Sequence, residues 1–316
     1  MAPPLELPDE LGEAFAVRAA RAAGVTEKCL RNRALAAPFR GARTFEAVDS
    51  TDPGPEGERA DAWRRIRAYA EIMPEHAFFV GPTAALIGGV PLPVGLHSHL
   101  HVGVEFPRTP PRRPGIRGTR IGVSGHVSRM HRLRVADPAL TWATLGPHLR
   151  EYDLVAATDY LLRIPRAPGG LVRLDRTDPY TTSVALAGIL SEHRWRAAPN
   201  LRHALDRART GASSRPETWS RLLIVDAGLP EPVLDHDVYD DAHVFIGAAD
   251  LAYPHRKLAI EYEGEGHLDR VQFERDIERF ARYEEADWSY VRLTSRHVFH
   301  LSHEVSRRVR RKLDRG

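Results

Sequence analysis

Cysteine is almost missing from this chain: Cys29 stands alone among 316 residues. A single thiol excludes an internal disulfide, a cysteine-ligated zinc finger and a CxxC redox pair. It is expected to pack as a small apolar residue in a minor core. Lysine is nearly as scarce, occurring at Lys28, Lys257 and Lys312 only, so arginine carries the formal net charge of +3. The arginine fork matches phosphate geometry, although net charge by itself identifies no partner. Long hydrophobic runs are missing too. No stretch approaches the ~20 apolar residues of a membrane span, and the proline- and acid-rich stretch 1–13 lacks the pattern of a secretory signal. The expectation is a cytoplasmic protein with no membrane partner. No internal repeat or low-complexity tract is visible, and 42% hydrophobic residues suffice for ordinary globular cores.

What is present divides into segments. Residues 1–50 read as a helix from Leu11 to Ala22, a turn at Gly24, and a second helix from Glu27 to Leu35 capped by Thr26. Ala20, Gly24 and Leu30 keep helix-turn-helix spacing: a small residue where the helices touch, glycine at the turn, an apolar anchor on the second helix. That helix would present Lys28, Arg31 and Asn32 to a DNA groove, and the stretch from Ala37 to Arg43, with Arg40 and Arg43, would form a wing. A plain helical hairpin is the alternative. Residues 49–57 are turn-forming linker, and Arg59 to Ile72 reads as a helix.

Residues 58–165 form an α+β module. Gly81-Pro82-Thr83 opens a short helix that closes at Gly88-Gly89. Strands are expected from His99 to Phe106 and Arg120 to Val127, and helices from Leu140 to Leu149 and Asp153 to Arg163. His97, His99 and His101 alternate and would share one strand face, but no nearby carboxylate or cysteine completes a metal site. Residues 166–210 read as a helical connector.

The chemistry concentrates in residues 211–316. Ser214-Arg-Pro-Glu217 is a capping box with proline in the first turn. Strands are expected at Val233–Tyr239, His243–Tyr253 and Lys257–Glu263, with Pro254 to Lys257 as the tight turn between the last two. With His255 and Arg256 as loop residues, Tyr253 opposes Leu258, Leu251 opposes Ile260 and Asp250 opposes Glu261. Opposed residues share a face. One face is then apolar (Leu251, Tyr253, Leu258, Ile260, Tyr262), and the other carries Asp250, Glu261 and Glu263 among alanines. Crowded carboxylates raise one another's pKa, and a hard dication such as Mg²⁺ relieves that repulsion. A solvated acidic face is the bland alternative. His267, in the turn that follows, would position water or phosphate or cap the next helix. Beyond a long helix with Asp276 and Arg279, a fourth strand ends the sheet, and a closing helix carries Arg307, Arg308, Arg310 and Arg311, suited to DNA phosphates or to a solvated basic face.

The element order, together with Asp250…Glu261-Tyr-Glu263-Gly-x-x-His267, Arg275-Asp276-x-x-Arg279 and Trp288-x-x-Val-Arg292, resembles the PD-(D/E)XK nuclease superfamily. Within it the similarity is to a very-short-patch-repair-like branch. The first two segments resemble, less specifically, the winged helix and following domain of AbiEi-type abortive-infection antitoxins. The resemblance implies an N-terminal winged helix-turn-helix, a middle α+β module and a C-terminal restriction-endonuclease-like αβββαβα domain. It further implies Mg²⁺ (or Mn²⁺) held by Asp250, Glu261 and Glu263, double-stranded DNA as substrate, and a role in phage defence or repair. Glu217 matches the helix glutamate that some members add as a ligand, with Arg279 and the C-terminal arginines against the DNA backbone. Glu263 departs from the pattern by standing where the motif has lysine. Lys257 lies roughly 13 Å of strand from Glu261 and cannot replace it directly. That departure keeps open a second expectation, a non-catalytic DNA-binding antitoxin or regulator with a toxin or a second copy as partner.

Overall fold

The computed structural model of the protein describes residues 7–45, 54–170, 173–264 and 270–315, with the backbone alone over 270–276. It is a mixed α/β structure in two compact units. One comprises residues 1–148 and 189–196, the other residues 149–188 and 197–316. Among the described residues no helix is long and apolar enough to cross a membrane.

The first unit opens with a 3₁₀ turn and then β1 (Ala14–Ala16), α1 (Val17–Ala22), α2 (Glu27–Leu30), β2 (Leu35–Ala36) and β3 (Ala42–Phe45). The three strands form an antiparallel sheet in the order β1-β3-β2. Ala20 and Leu30 are buried with Phe15 and Leu35. Gly24, at φ 84°, turns the chain so that the Val25 N–H reaches the Ala20 carbonyl at 2.9 Å, and Thr26 caps α2 by accepting from the Cys29 N–H.

Both helices are shorter than the sequence reading expects. Residues 14–16 are strand, because their backbone pairs with β3. The second helix ends at Leu30 rather than Leu35. The Asn32 side chain accepts the Ala34 N–H at 2.9 Å, a local bond that competes with the helix ladder, and Leu35-Ala36 joins the sheet. Cys29 is half-buried.

The same unit continues with α3 (Pro55–Ala70), β4 (Ala77–Phe79), α4 (Gly81–Ile87), β5 (Leu100–Glu105), β6 (Arg112–Arg113), β7 (Ile116–Ile121), β8 (Val127–Met130), β9 (Leu133–Ala136) and α5 (Pro138–Leu145). Six strands form a mixed sheet in the order β6-β7-β5-β4-β9-β8. Of the linker expected over 49–57, Pro55 to Gly57 instead open α3, where proline suits the first helical turn; residues 49–53 lie outside the described residues. The strand expected from Arg120 to Val127 resolves into the end of β7 and the start of a separate β8–β9 hairpin.

In the second unit, α6 (Glu151–Leu162), read from the sequence with the middle module, packs on α9 (Arg215–Asp226). Before α9 come α7 (Ser183–Glu192), which straddles the boundary between the units, and α8 (Ala198–Arg207). Asp159 and Arg221 form a fully buried ion pair at 3.1 Å between α6 and α9. The sheet runs β10 (Val233–Tyr239), β11 (Phe245–Tyr253), β12 (Leu258–Glu263) and β13 (Ser289–Thr294) in spatial order. The first three are antiparallel, and β13 returns parallel to β12 after α10 (Arg270–Glu285).

Leu251, Tyr253, Leu258 and Ile260 pack with Ile224 of α9 and with Val305 and Val309 of α11 (Ser302–Leu313). Ala252 and Ala259 pack with Phe280 and Tyr283 of α10. The sheet therefore has helices over both faces, and the acidic face is covered rather than solvated.

Candidate functional site

Register places the acids. The turn closes with Lys257 N–H donating to the Pro254 carbonyl at 3.0 Å, and Lys257 takes the left-handed conformation at φ 43°. Tyr253 then pairs with Leu258, Ala252 with Ala259 and Leu251 with Ile260, the register expected from the sequence. Beyond that point the ladder between β11 and β12 ends, while β11 stays paired to β10 through His236–Ala249 and Asp237–Ala248. The carboxylate of Asp250 closes the resulting fork by accepting the Tyr262 N–H at 2.7 Å.

Glu261 is buried on the strand opposite. Its Oε1 accepts from the Tyr283 hydroxyl at 3.1 Å, and Oε2 lies 3.5 Å from the Arg279 Nη1. Both partners come from α10, four residues apart and so on one helical face. Gly247 makes room for them: a Cβ there would lie 2.9 Å from Arg279 Cδ and 3.4 Å from the Tyr283 hydroxyl.

Glu217 approaches from α9. Ser214 caps that helix, and the Glu217 carboxylate accepts the Ser213 N–H at 2.6 Å and the Ser214 hydroxyl at 2.7 Å. The capping role expected of this residue is observed, and its carboxyl is buried and feels the charge of Asp250. Glu263 is half-buried and binds Arg292 Nε at 2.8 Å, and the guanidinium lies 5.0 Å from the centre of the Phe280 ring.

Desolvation is the first cause that raises Asp250, Glu261 and Glu217, and neighbouring charges then add to it or oppose it. Burial lifts Asp250 to about 6, opposed by the Tyr262 N–H and Arg279 and reinforced by Asp235 and Glu263. Glu261 rises to about 7, through burial against the pull of Arg279 and with the push of Asp250. Glu217 also rises to about 7, through burial and Asp250, against its cap hydrogen bonds and Arg163. Burial and the adjacent Glu261 carboxylate push the Tyr283 hydroxyl well above its ordinary value.

A hard dication takes oxygen donors, and a set of desolvated carboxyls fits that requirement in donor chemistry. As placed, each acid leans on a protein partner. Among the described residues no three His, Cys, Asp or Glu side chains stand close enough together to hold an ion.

The sequence reading did not single out Tyr283, Gly247 or Arg163. The signal for Tyr283 was its spacing from Arg279. Gly247 and Arg163 carried none, because their relevance depends on close approach in space. Among the described residues the buried Arg163 Nε has no hydrogen-bond partner. His267 lies outside the described residues, and so do the side chain of Asp276 and the start of the long helix at residues 268–269.

The residues assigned to DNA are placed as follows. Lys28, Arg31 and Arg40 are exposed, Arg40 in the turn between β2 and β3. Asn32 is half-buried, its side chain engaged by Ala34. Arg43 turns inward to the Leu30 and Ala42 carbonyls at 3.0 and 2.8 Å. Arg279 sits at Glu261, not on an open surface. Arg307 and Arg308 lie 2.6 and 3.7 Å from Glu304 on α11. Of the three alternating histidines, only His101 is on β5. The His99 ring contacts the Ser98 hydroxyl, and the His101 ring packs on His148, so the three do not share a strand face.

No model of a known protein family matches the chain. It is 30% identical over 224 residues to the "Uncharacterized protein Rv2248" of Mycobacterium tuberculosis strain H37Rv, an alignment covering 71% of this chain and 70% of that protein. The "Uncharacterized protein MT2308" of Mycobacterium tuberculosis strain CDC 1551 matches with the same identity and coverage.

Proposed function

The chain belongs to the family of these two mycobacterial proteins, and we propose that it is a DNA-binding, divalent-metal-dependent phosphodiesterase of the PD-(D/E)XK type. The carrying observation is the fork between β11 and β12. There, just beyond the last paired residues Leu251 and Ile260, burial raises Asp250 to about 6 and Glu261 to about 7, and the Asp250 charge acts on Glu261. Glu217 from α9 adds a third acid, sensitive to the same charge. Desolvating ionisable groups in one place lowers stability, and functional sites are where such arrangements concentrate.

In this reading Asp250 and Glu261 hold Mg²⁺ or Mn²⁺, with Glu217 or Glu263 completing the oxygen set. The ion, when bound, supplies a Lewis acid for phosphoryl oxygens and acidifies water. The chain's own part is to position those carboxylates and to supply positive charge. Arg279 and Arg292 lie against Glu261 and Glu263 and supply positive charge there. Lys257 does not serve there, because its Nζ is bonded to the Ala286 carbonyl at 3.0 Å. The N-terminal elements support docking on double-stranded DNA through a winged helix-turn-helix: α1, the Gly24 turn and α2, followed by the β2–β3 hairpin.

Nicking of supercoiled plasmid by the full-length protein in Mg²⁺ or Mn²⁺ is the test. Cleavage lost to background in Asp250→Ala and in Glu261→Ala is the expected result, and cleavage retained in the double variant rejects the reading. One observation favours a second reading: Arg279 and Arg292 already balance two of the acids. A regulator or antitoxin that binds DNA without cutting it, with a toxin or a second copy as partner, would shift its own upstream DNA in EDTA and leave plasmid intact in either metal.

A further inference from the structure

The N-terminal unit encloses a cavity of about 430 Å³ that the reading above does not use. Its floor is made by His101 on β5 and His148 just after α5, with ring centres 4.7 Å apart and planes nearly perpendicular. Gly81, at φ 51°, brings the start of α4 against them; a Cβ there would lie 3.9 Å from each ring. His193 forms one wall, pressed so close to β7 that a Cβ on Gly122 would sit 2.6 Å from its ring. The rim is arginine: Arg117 and Arg120 from β7, Arg194 and Arg196 on either side of Trp195. All four arginines are exposed. Among the described residues no carboxylate lines the cavity.

Such an arrangement is unfavourable unless something negative enters. Like charges lining a concavity add their fields, and here the fold places no acid among them. Burial, together with His148, Arg117, His99 and His97, holds the His101 imidazole down at about 3, so the ring is neutral and offers one N–H. Arg120 is engaged elsewhere, its Nε on the Arg108 carbonyl at 3.3 Å and its guanidinium 5.9 Å from the Phe106 ring, but the forks of Arg117, Arg194 and Arg196 beside imidazole N–H groups match the several oxygens of a phosphate. The volume falls within the ~300–1,000 Å³ of small-molecule sites and suits about one nucleotide rather than a duplex. Trp195 supplies a flat, fixed surface. Its Nε1–H donates to the Ile189 carbonyl at 2.7 Å, and its ring stands edge-on to His193 at 5.2 Å. A base stacks on such a ring whatever its identity.

We propose that this cavity binds a phosphomonoester attached to a nucleoside, either a free mononucleotide or the phosphorylated end of a nucleic-acid strand. The site lies in the N-terminal unit and does not depend on the carboxylates of the other unit. Calorimetric titration of the full-length protein in EDTA, which keeps divalent metal out, tests it with AMP, adenosine, inorganic phosphate and a short single strand with or without a 5′ phosphate. AMP or the phosphorylated strand should bind at one site, at least about tenfold tighter than adenosine or the unphosphorylated strand. Tighter AMP identifies the free nucleotide as ligand, and a tighter phosphorylated strand identifies the strand end. Arg117→Gln and Arg194→Gln alter exposed side chains, so they should weaken binding about tenfold each while leaving thermal melting unchanged. Equal binding with and without the phosphate overturns the proposal, as does AMP binding unaffected by both substitutions. Inorganic phosphate binding as tightly as AMP overturns the role given to Trp195.

Discussion

A carboxyl group that titrates near neutrality makes the fold itself pH-dependent. Asp250 is raised to about 6 and Glu261 and Glu217 to about 7, whereas an unfolded chain titrates these side chains near ~4. Between those values the folded state binds more protons than the unfolded one, so stability falls as pH rises. The contribution is complete below about 4 and lost as pH passes through about 7. His126 acts in the same direction. Desolvation lowers its pKa, but hydrogen bonds to Asp137 and Glu192 outweigh that and raise it, so its contribution also disappears as pH rises through the folded value. A wild-type curve alone therefore does not isolate the site. Glu261→Gln keeps an acceptor for Tyr283 and removes the charge. The variant should melt higher than wild type at pH 8, and its melting temperature should change less between pH 5 and 8 in scanning fluorimetry. Parallel curves for the two proteins would show that Glu261 does not titrate in that range.

At the scale of elements, the fork is the product of a turn and a helix. The β11–β12 register was legible because apolar residues alternate on both sides of Pro254 to Lys257, and a one-residue slip would move every side chain to the other face. The capping box was legible for a similarly local reason: serine, proline and glutamate sit where the first turn needs them.

The β8–β9 hairpin was not legible. Its turn residues His131 and Arg132 both have positive φ, 49° and 64°, at positions where Asn or Gly is the usual signal. The early end of α2 was missed because one side-chain bond from Asn32 decides it against a good helical pattern. The support that α10 gives Glu261 was invisible for another reason, since it depends on the missing side chain at Gly247. A Cβ there would meet Arg279 Cδ at 2.9 Å, closer than packed carbons tolerate. Gly247→Ala should therefore push Arg279 off Glu261 and destabilise the protein by about 1–3 kcal/mol, the usual range for overpacking. Chemical denaturation measures the loss, and a variant as stable as wild type would mean that α10 adjusts without strain.

Across the whole molecule there are two compact units, with α6 in the second and residues 189–196, part of the stretch read as a connector, in the first. Sequence periodicity found α6 but did not place it, because its partner contacts are distant in the chain: Thr218 and Arg221 reach Asp159 across about sixty residues. If the N-terminal unit docks on duplex DNA, exposed Lys28 and Arg31 act through phosphates. Replacing both with alanine should weaken DNA binding and make the dependence of log K on log salt shallower by about 2, roughly one per lost contact. Filter binding over a salt series reads both effects, and an unchanged slope would assign the DNA contact elsewhere.

The central claim is that the acids at the β11–β12 fork hold a divalent cation. It is tested most directly by calorimetric titration of the full-length protein with Mn²⁺ at pH 7.5, without DNA. Saturable binding that disappears in Asp250→Ala and again in Glu261→Ala, each still folded by circular dichroism, is the predicted result. No binding to the wild-type protein, or an isotherm that both substitutions leave unchanged, would contradict it.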